Sequence, residues 1–203
     1  MKDPLRDPAF ESSFSFTGTI TGVKRNDKIM QIMIHQGVAN GRMPTEYKLI
    51  IPMAAVMTEE FPYTKGDTVM VEDALMYTKD SEVRFRIASM TQIRTTTAQP
   101  GELNALSYSG EIVEIKEDAG YILALMKQTY ADTFTTTLEV MIPRSAKMDA
   151  PKAGDIGFIK SAILYEKNGK FRAKVSRPTT YKVLYSPDAV MFLGTIEAKE
   201  KFV

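Results

Sequence analysis

FSFTGTITGVKRNDKIMQIMIHQ, residues 14–36, returns as LSYSGEIVEIKEDAGYILALMKQ, residues 106–128. An offset of 92 lays Phe14 on Leu106, Phe16 on Tyr108, Gly18 on Gly110, Ile20 on Ile112, Lys24 on Lys116 and Gln36 on Gln128. Further along, Ile51-Pro52 falls on Ile142-Pro143 at an offset of 91. Gly66-Asp67 falls on Gly154-Asp155 at 88, and that offset carries through Tyr77/Tyr165, Arg84/Arg172 and Arg86/Lys174. Losing so few positions over such a length is what loop trimming leaves. A period near 90 residues is too long for a solenoid unit and suits a small domain. The chain therefore reads as one small domain used twice: an arm at 1–13, a first domain at 14–94, a polar linker at 95–105 around Pro100-Gly101, a second domain at 106–184 and a tail at 185–203.

Within each copy the dominant period is two. Phe14, Phe16 and Ile20 alternate with Ser15, Thr17 and Thr19, as in a half-buried strand. Val83, Phe85 and Ile87 alternate with Arg84 and Arg86, and Phe171, Ala173 and Val175 with Arg172 and Lys174. Turn signals separate the runs, among them Asn26-Asp27, Lys65-Gly66-Asp67, Lys79-Asp80 and Lys167-Asn168-Gly169. The pattern predicts five strands per copy, near 14–23, 28–36, 46–52, 67–78 and 82–94 in the first. It also predicts a short helix between strands three and four, at Met53–Glu60 and again at Arg144–Met148. Periodicity leaves open which face of the second strand points outward. The tail holds an apolar run, Ala189–Ile196, with no counterpart in the first copy; it is a candidate extra strand for covering an edge or joining a protein partner or second copy.

Five strands with a helix between the third and fourth is the order of the OB-fold. The first strands read F-x-G-x-I-x-x-V (Phe16, Gly18, Ile20, Val23) and Y-x-G-x-I-x-x-I (Tyr108, Gly110, Ile112, Ile115). An in-strand glycine marks a bulge or tight bend of the kind a small barrel needs to close. Gly66-Asp67-Thr68-Val69 and Gly154-Asp155-Ile156 look like the start of a fourth OB strand. On these residues the chain resembles tandem OB-fold single-stranded DNA-binding proteins over 14–94 and 106–184. The resemblance implies an all-β class of two tandem five-stranded OB-like Greek-key barrels, each with a short helix between strands three and four. It also implies single-stranded DNA or RNA as partner, bound across strands two and three and the 1–2 and 4–5 loops. Such sites need cations along the phosphates and flat side chains for the bases.

The 1–2 loop offers Lys24, Arg25 and Lys28 in the first copy and Lys116 in the second. The 4–5 hairpin offers Tyr77, then Tyr165, Lys167 and Lys170. The polar face of strand five presents Arg84 and Arg86, then Arg172 and Lys174; the alternative role of such cations is to keep an edge from pairing with other chains. Tyr130 and Phe134, beside Lys127 at the 2–3 loop of the second copy, are either stacking platforms or packed back on the barrel, and Tyr121, which begins its second strand, either stacks a base or belongs to the core. Phe14, Phe16, Phe85, Tyr108, Phe158 and Phe171 are expected in the core.

Composition sets the exclusions. Net charge is +1, but Lys160–Lys182 holds seven cations against Glu166, interleaved with Tyr165, Phe171 and Tyr181. With no cysteine and a single histidine, His35, neither a disulfide framework nor a zinc site nor a Cys/His nucleophile can be built. No catalytic constellation, cofactor motif or metal site is expected, and no membrane span or signal core, so a cytoplasmic protein is expected. Two functions compete: a non-enzymatic single-strand binder in replication or recombination, and an architectural or adaptor protein of a virion, tail or polymerase assembly that uses its barrels for protein contacts.

Overall fold

The computed structural model describes residues 11–37, 44–56, 61–118, 120–130, 134–145, 150–177 and 180–186. It is all-β. The strands are β1 (Ser12–Arg25), β2 (Ile29–Gln36), β3 (Thr45–Pro52), β4 (Thr68–Lys79), β5 (Glu82–Arg86), β6 (Ile93–Thr95), β7 (Asn104–Asp118), β8 (Tyr121–Tyr130), β9 (Phe134–Pro143), β10 (Ile156–Lys167), β11 (Lys170–Lys174) and β12 (Tyr181–Tyr185).

The ladders of each half return to the strand they leave. β1 pairs β2, β2 pairs β3, β3 pairs β5 in parallel, β5 pairs β4, and β4 pairs β1 again. In the second half the same circuit runs β7, β8, β9, β11, β10 and back to β7. The alternation of β2 is now settled: Met30, Ile32, Ile34 and Gln36 point inward, and Ile29, Gln31, Met33 and His35 outward. Asp80-Ser81 and Asn168-Gly169 both take positive φ, the two-residue turn whose twist matches a hairpin.

Three expectations are corrected. Between strands three and four there is no helix among the described residues. Met53–Ala55 forms one 3-10 turn and Val56 is extended, while Arg144 and Ser145 are irregular; the rest of both predicted helices lies outside the described residues. The fifth strand does not run to residue 94. β5 ends at Arg86, a 3-10 turn at Met90–Gln92 follows, and β6 pairs with β4. The signal was present: Ser89-x-x-Gln92 is a capping box, and a cap ends the extended run. Finally, Phe158 is half-exposed rather than core. The apolar run Ala189–Ile196 lies outside the described residues.

β12 pairs β10 as β6 pairs β4, with Gly157 opposite Val183 where Val69 opposes Thr95. Side-chain volume is exchanged across this pair. Gly157 stands where Val69 does, Tyr181 stands where Ile93 does, and a Cβ on Gly157 would lie 3.2 Å from the Tyr181 ring.

The halves join through their first strands. β1 and β7 pair antiparallel, with Ser12 opposite Tyr108, Phe14 opposite Leu106 and Phe16 opposite Asn104. At an offset of 92, Phe14 and Leu106 are equivalent, and each flanking pair is the image of the other. The seam is thus a two-fold within one chain, the arrangement of an isologous dimer. Its hydrogen bonds are matched. The Thr17 amide donates to Leu103 O at 3.1 Å and the Ser109 amide to Glu11 O at 2.8 Å.

Each first strand uses one edge in series, first for the other half and then for its own second strand. The handover falls at Gly18 and Gly110. A Cβ on Gly18 would lie 2.9 Å from His35 O, and on Gly110 2.8 Å from Lys127 O. The in-strand glycines thus serve close approach; the register bulges come later, between Ile20 and Gly22 and between Ile112 and Glu114. Buried glutamines fill the gap that the handover leaves. The Gln36 amide donates to Thr17 O and Leu103 O, and the Gln128 amide to Ser109 O and Glu11 O.

Around the seam the apolar residues of both halves form one cluster, from Phe14, Phe16 and Tyr47 to Leu106, Tyr108 and Leu164. Asn104 is its polar hinge. Its side chain accepts from the Leu164 amide at 2.8 Å and donates to Leu164 O at 2.7 Å and Gln36 Oε1 at 2.6 Å. Ser12, the equivalent residue, makes the matching pair of bonds to Met76. Replacing Asn104 with Ala strands the buried Leu164 amide, so the unfolding free energy should fall by about 1–3 kcal/mol in urea denaturation. Gly110→Ala forces β7 away from β8 and should cost about 1–3 kcal/mol, whereas Gly37→Ala, with open space around it, should not.

Candidate nucleic-acid interface

The outward faces of strands two, three and five form one surface in each half. In the first, Ile50 lies between Gln31 on β2 and Arg86 on β5, and Arg86 faces Leu75 on β4. One row nearer the seam, Met33 lies beside Lys48, and Tyr77 faces Arg84. In the second half Met141 lies between Leu123 and Lys174, and Glu139 between Leu125 and Arg172, which faces Tyr165. Tyr121 closes the outer end opposite Pro143. The structure therefore gathers Tyr77, Arg84 and Arg86 on one face and Tyr121, Tyr165, Arg172 and Lys174 on the other.

The tyrosines lie down on these faces. Burial raises the Tyr77 phenol above its ordinary pKa, partly offset by Arg84 and Arg86. Burial likewise raises Tyr165, whose hydroxyl reaches across β11 to Met141 Sδ at 3.1 Å.

The strand-five cations divide into two kinds. Arg84 is tied to Glu82 at 3.0 Å and to Asp80 at 3.5 Å. Arg172 lies 3.0 Å from Glu139, close enough for an ion pair though not aligned as a hydrogen bond. Both are already neutralised by carboxylates. Arg86 and Lys174 are exposed, and neither has an ion-pair partner among the described residues; the Lys174 ammonium sits 5.7 Å from the centre of the Tyr121 ring.

At the outer end of the first face the β1–β2 turn exposes Lys24, Arg25 and Lys28, held by an Asn26 side chain that accepts from the amides of Lys28 and Ile29. The second half departs from this. Lys116 donates to Glu114 at 2.9 Å, which raises its pKa, and Glu117 is taken by Arg144. Lys116 and Arg144 on this outer rim are thus each matched by a carboxylate.

The inner ends of the two faces meet at a cleft of about 710 Å³ on the two-fold. Its walls are matched pairs: Met33 with Leu125, Lys48 with Glu139, Thr78 with Glu166 and Glu82 with Lys170. Lys48 and Glu82 form an ion pair in the first half, and their equivalents carry the same two charges exchanged. Four carboxylates (Glu46, Glu82, Glu139, Glu166) face three cations (Lys48, Lys170, Arg172). Lys167 and Lys170 belong to the β10–β11 hairpin, which docks on the first half through Phe171, 6.0 Å from the Tyr47 ring and 5.8 Å from Phe85. Lys127 is exposed beside the seam, opposite Glu111 and Thr137, and continues the outward row Tyr121, Leu123, Leu125 of β8 past the cleft. Tyr130 ends β8 and Phe134 begins β9, opposite each other; their side chains lie outside the described residues.

Sequence reasoning missed the apolar part of these faces: Met33, Leu123, Leu125 and Met141, together with Ile50, which is buried but outside the core cluster. The available signal was the alignment of the halves, which keeps Met33/Leu125 and Ile50/Met141 apolar at the parity opposite to the core residues.

With this geometry in hand, a match among solved structures is informative. The fold superposes with a TM-score of 0.60 on a crystal structure of a deletion mutant of the single-stranded DNA-binding protein from Thermus aquaticus, covering 87% of this chain and 96% of that one. The two chains share a fold. Their 14% sequence identity extends the likeness no further. Fission yeast Pot1 with single-stranded DNA (7% identity, 95% of this chain and 89% of that one) and a murine DNA-binding protein bound to double-stranded DNA (10%, 85% and 99%) match at TM-scores of 0.33 and 0.32, too low to carry an argument. No protein-family model and no curated protein matches the sequence.

The cleft wall has a titration signature. The hydrogen bond from Lys48 holds the Glu82 carboxyl below the ordinary carboxylate range, against the opposing effect of burial. A depressed folded pKa contributes stability that is present above the unfolded value of about 4.3 and is lost as pH falls through the folded value. Glu82 is 42% exposed, so the effect should stay under about 1 kcal/mol. Urea midpoints of wild type and Glu82→Gln should therefore converge as pH is lowered from about 6 to about 3.

Proposed function

We propose that the chain is a pair of tandem five-stranded OB-like Greek-key barrels that binds single-stranded DNA or RNA without catalysing a reaction, in the setting of replication or recombination. The observation that carries this reading is the outward face made twice from strands two, three and five. On each, one exposed cation, Arg86 or Lys174, stands beside apolar side chains and a tyrosine. A cation can follow the phosphates while Tyr121, Leu123 and Met141 give bases a flat apolar floor. The rim at Lys24, Arg25 and Lys28 extends the cationic track of the first face. The fold shared with the Thermus aquaticus protein supports the same assignment. Arg84 and Arg172 hold the hairpins through their carboxylates in this reading, rather than contacting the ligand.

The adaptor reading has one observation in its favour: the cleft is not cationic, and a protein partner tolerates that better than a polyanion does.

Anisotropy of labelled oligo-dT against duplex of equal length, over a range of salt, separates the two. Single-strand affinity should fall with salt at a log–log slope of about −0.7 per neutralised phosphate. The double variant Arg86→Ala/Lys174→Ala should flatten the slope by about 1.4 with no change in the unfolding midpoint. Tyr121→Ala should weaken binding by about 1–3 kcal/mol. Binding that is absent, or insensitive to salt and to these variants, would leave the adaptor reading.

A further inference from the structure

The seam fixes the direction in which each face is read, and with it the kind of polynucleotide arrangement that can occupy both. This inference rests on the binding reading above. From its outer end to the cleft, the first face runs Ile29, Gln31, Met33; the second runs Tyr121, Leu123, Leu125. The two-fold between Phe14 and Leu106 carries one series onto the other. The matched side chains keep that sense: Tyr77 and Arg86 correspond to Tyr165 and Lys174.

A polynucleotide strand has direction, and a site built from an ordered row of a tyrosine, apolar side chains and a cation is read in one sense. A strand passing straight from one face through the cleft to the other runs toward the axis on the first and away from it on the second. It would meet equivalent residues in opposite polarity. The cleft adds a second, independent obstacle. Its walls carry four carboxylates against three cations, two of which, Lys48 and Arg172, are already bound to carboxylates. A phosphate backbone crossing there gains no net counter-charge.

We propose that the two faces hold two separate single-stranded segments whose like ends meet at the cleft, so that the natural ligand is a pair of opposed strand segments, or one strand that loops out and returns, and not one short continuous strand.

Oligo-dT with a reversal of polarity at its centre tests this with the intact protein. OB sites take about 4–16 nucleotides each, so the probes are an oligo-dT of about eight nucleotides, an ordinary oligomer of twice that length, and 3′–3′ and 5′–5′ linked dimers of the short one. The short oligomer should bind twice per chain. One of the two inverted dimers should bind at one per chain and at least about tenfold more tightly than the ordinary oligomer of the same length, because only it engages both faces at once. An ordinary oligomer that equals or exceeds both inverted dimers would overturn the opposed arrangement while leaving single-strand binding standing. Failure of every probe, the short one included, would overturn the binding reading and this inference with it.

Discussion

The β1–β7 ladder is the contact on which the remaining strands depend. Each of these strands already serves two partners of its own half, and lends the first stretch of one edge to the other half. That sharing explains several otherwise unrelated residues. Gly18 and Gly110 sit where the edge changes partner and no Cβ fits. Gln36 and Gln128, buried and polar, each bridge a carbonyl of their own half's first strand and one of the other half's chain at that point, adding a donor beside the backbone amides. Thr17 and Ser109 complete the ladder with hydroxyls that accept from the Leu103 and Glu11 amides. A half of about 80 residues has a marginal core by itself. Merging two across a matched seam gives one apolar cluster instead of two small ones.

The same symmetry shows where the halves have drifted. Volume moved between Val69/Ile93 and Gly157/Tyr181, and charge between Lys48/Glu82 and Glu139/Lys170, each time in compensating pairs. Compensation is the mark of positions under structural constraint. The outer rims did not compensate: Lys24 and Lys28 face solvent on the first, while on the second Lys116 and Arg144 are held by Glu114 and Glu117. The faces are therefore alike in plan and unequal in charge.

Much of this was legible in the chain before its fold was known. The offset of 92 between the first strands, the in-strand glycines and the period-two runs follow from local rules, and local rules survive folding. Gln36 and Gln128 stood in the alignment, yet their role depends on a strand from the other half, so no local rule could assign it. Which face of β2 points outward was open for a similar reason: Ile29 and Met33 are as apolar as Met30 on the opposite parity, so both faces offer apolar residues until neighbours are placed. The basic pair on strand five looked like one feature. Glu82 and Glu139 divide it, neutralising Arg84 and Arg172 and leaving Arg86 and Lys174, and that division depends on ladder register. Of the run MAAVMTEE, the described residues form one 3-10 turn at Met53–Ala55 and an extended Val56, so helical propensity alone did not fix its first turn as α-helical.

The seam can be observed directly by NMR. Opposed residues of an antiparallel ladder bring their α-protons within reach of a nuclear Overhauser effect. The structure predicts cross-peaks joining Phe14 to Leu106, with flanking ones from Ser12 to Tyr108 and Phe16 to Asn104. A spectrum in which residues 12–16 show contacts to β4 alone, with none to 104–108, would contradict the two-fold seam and everything built on it.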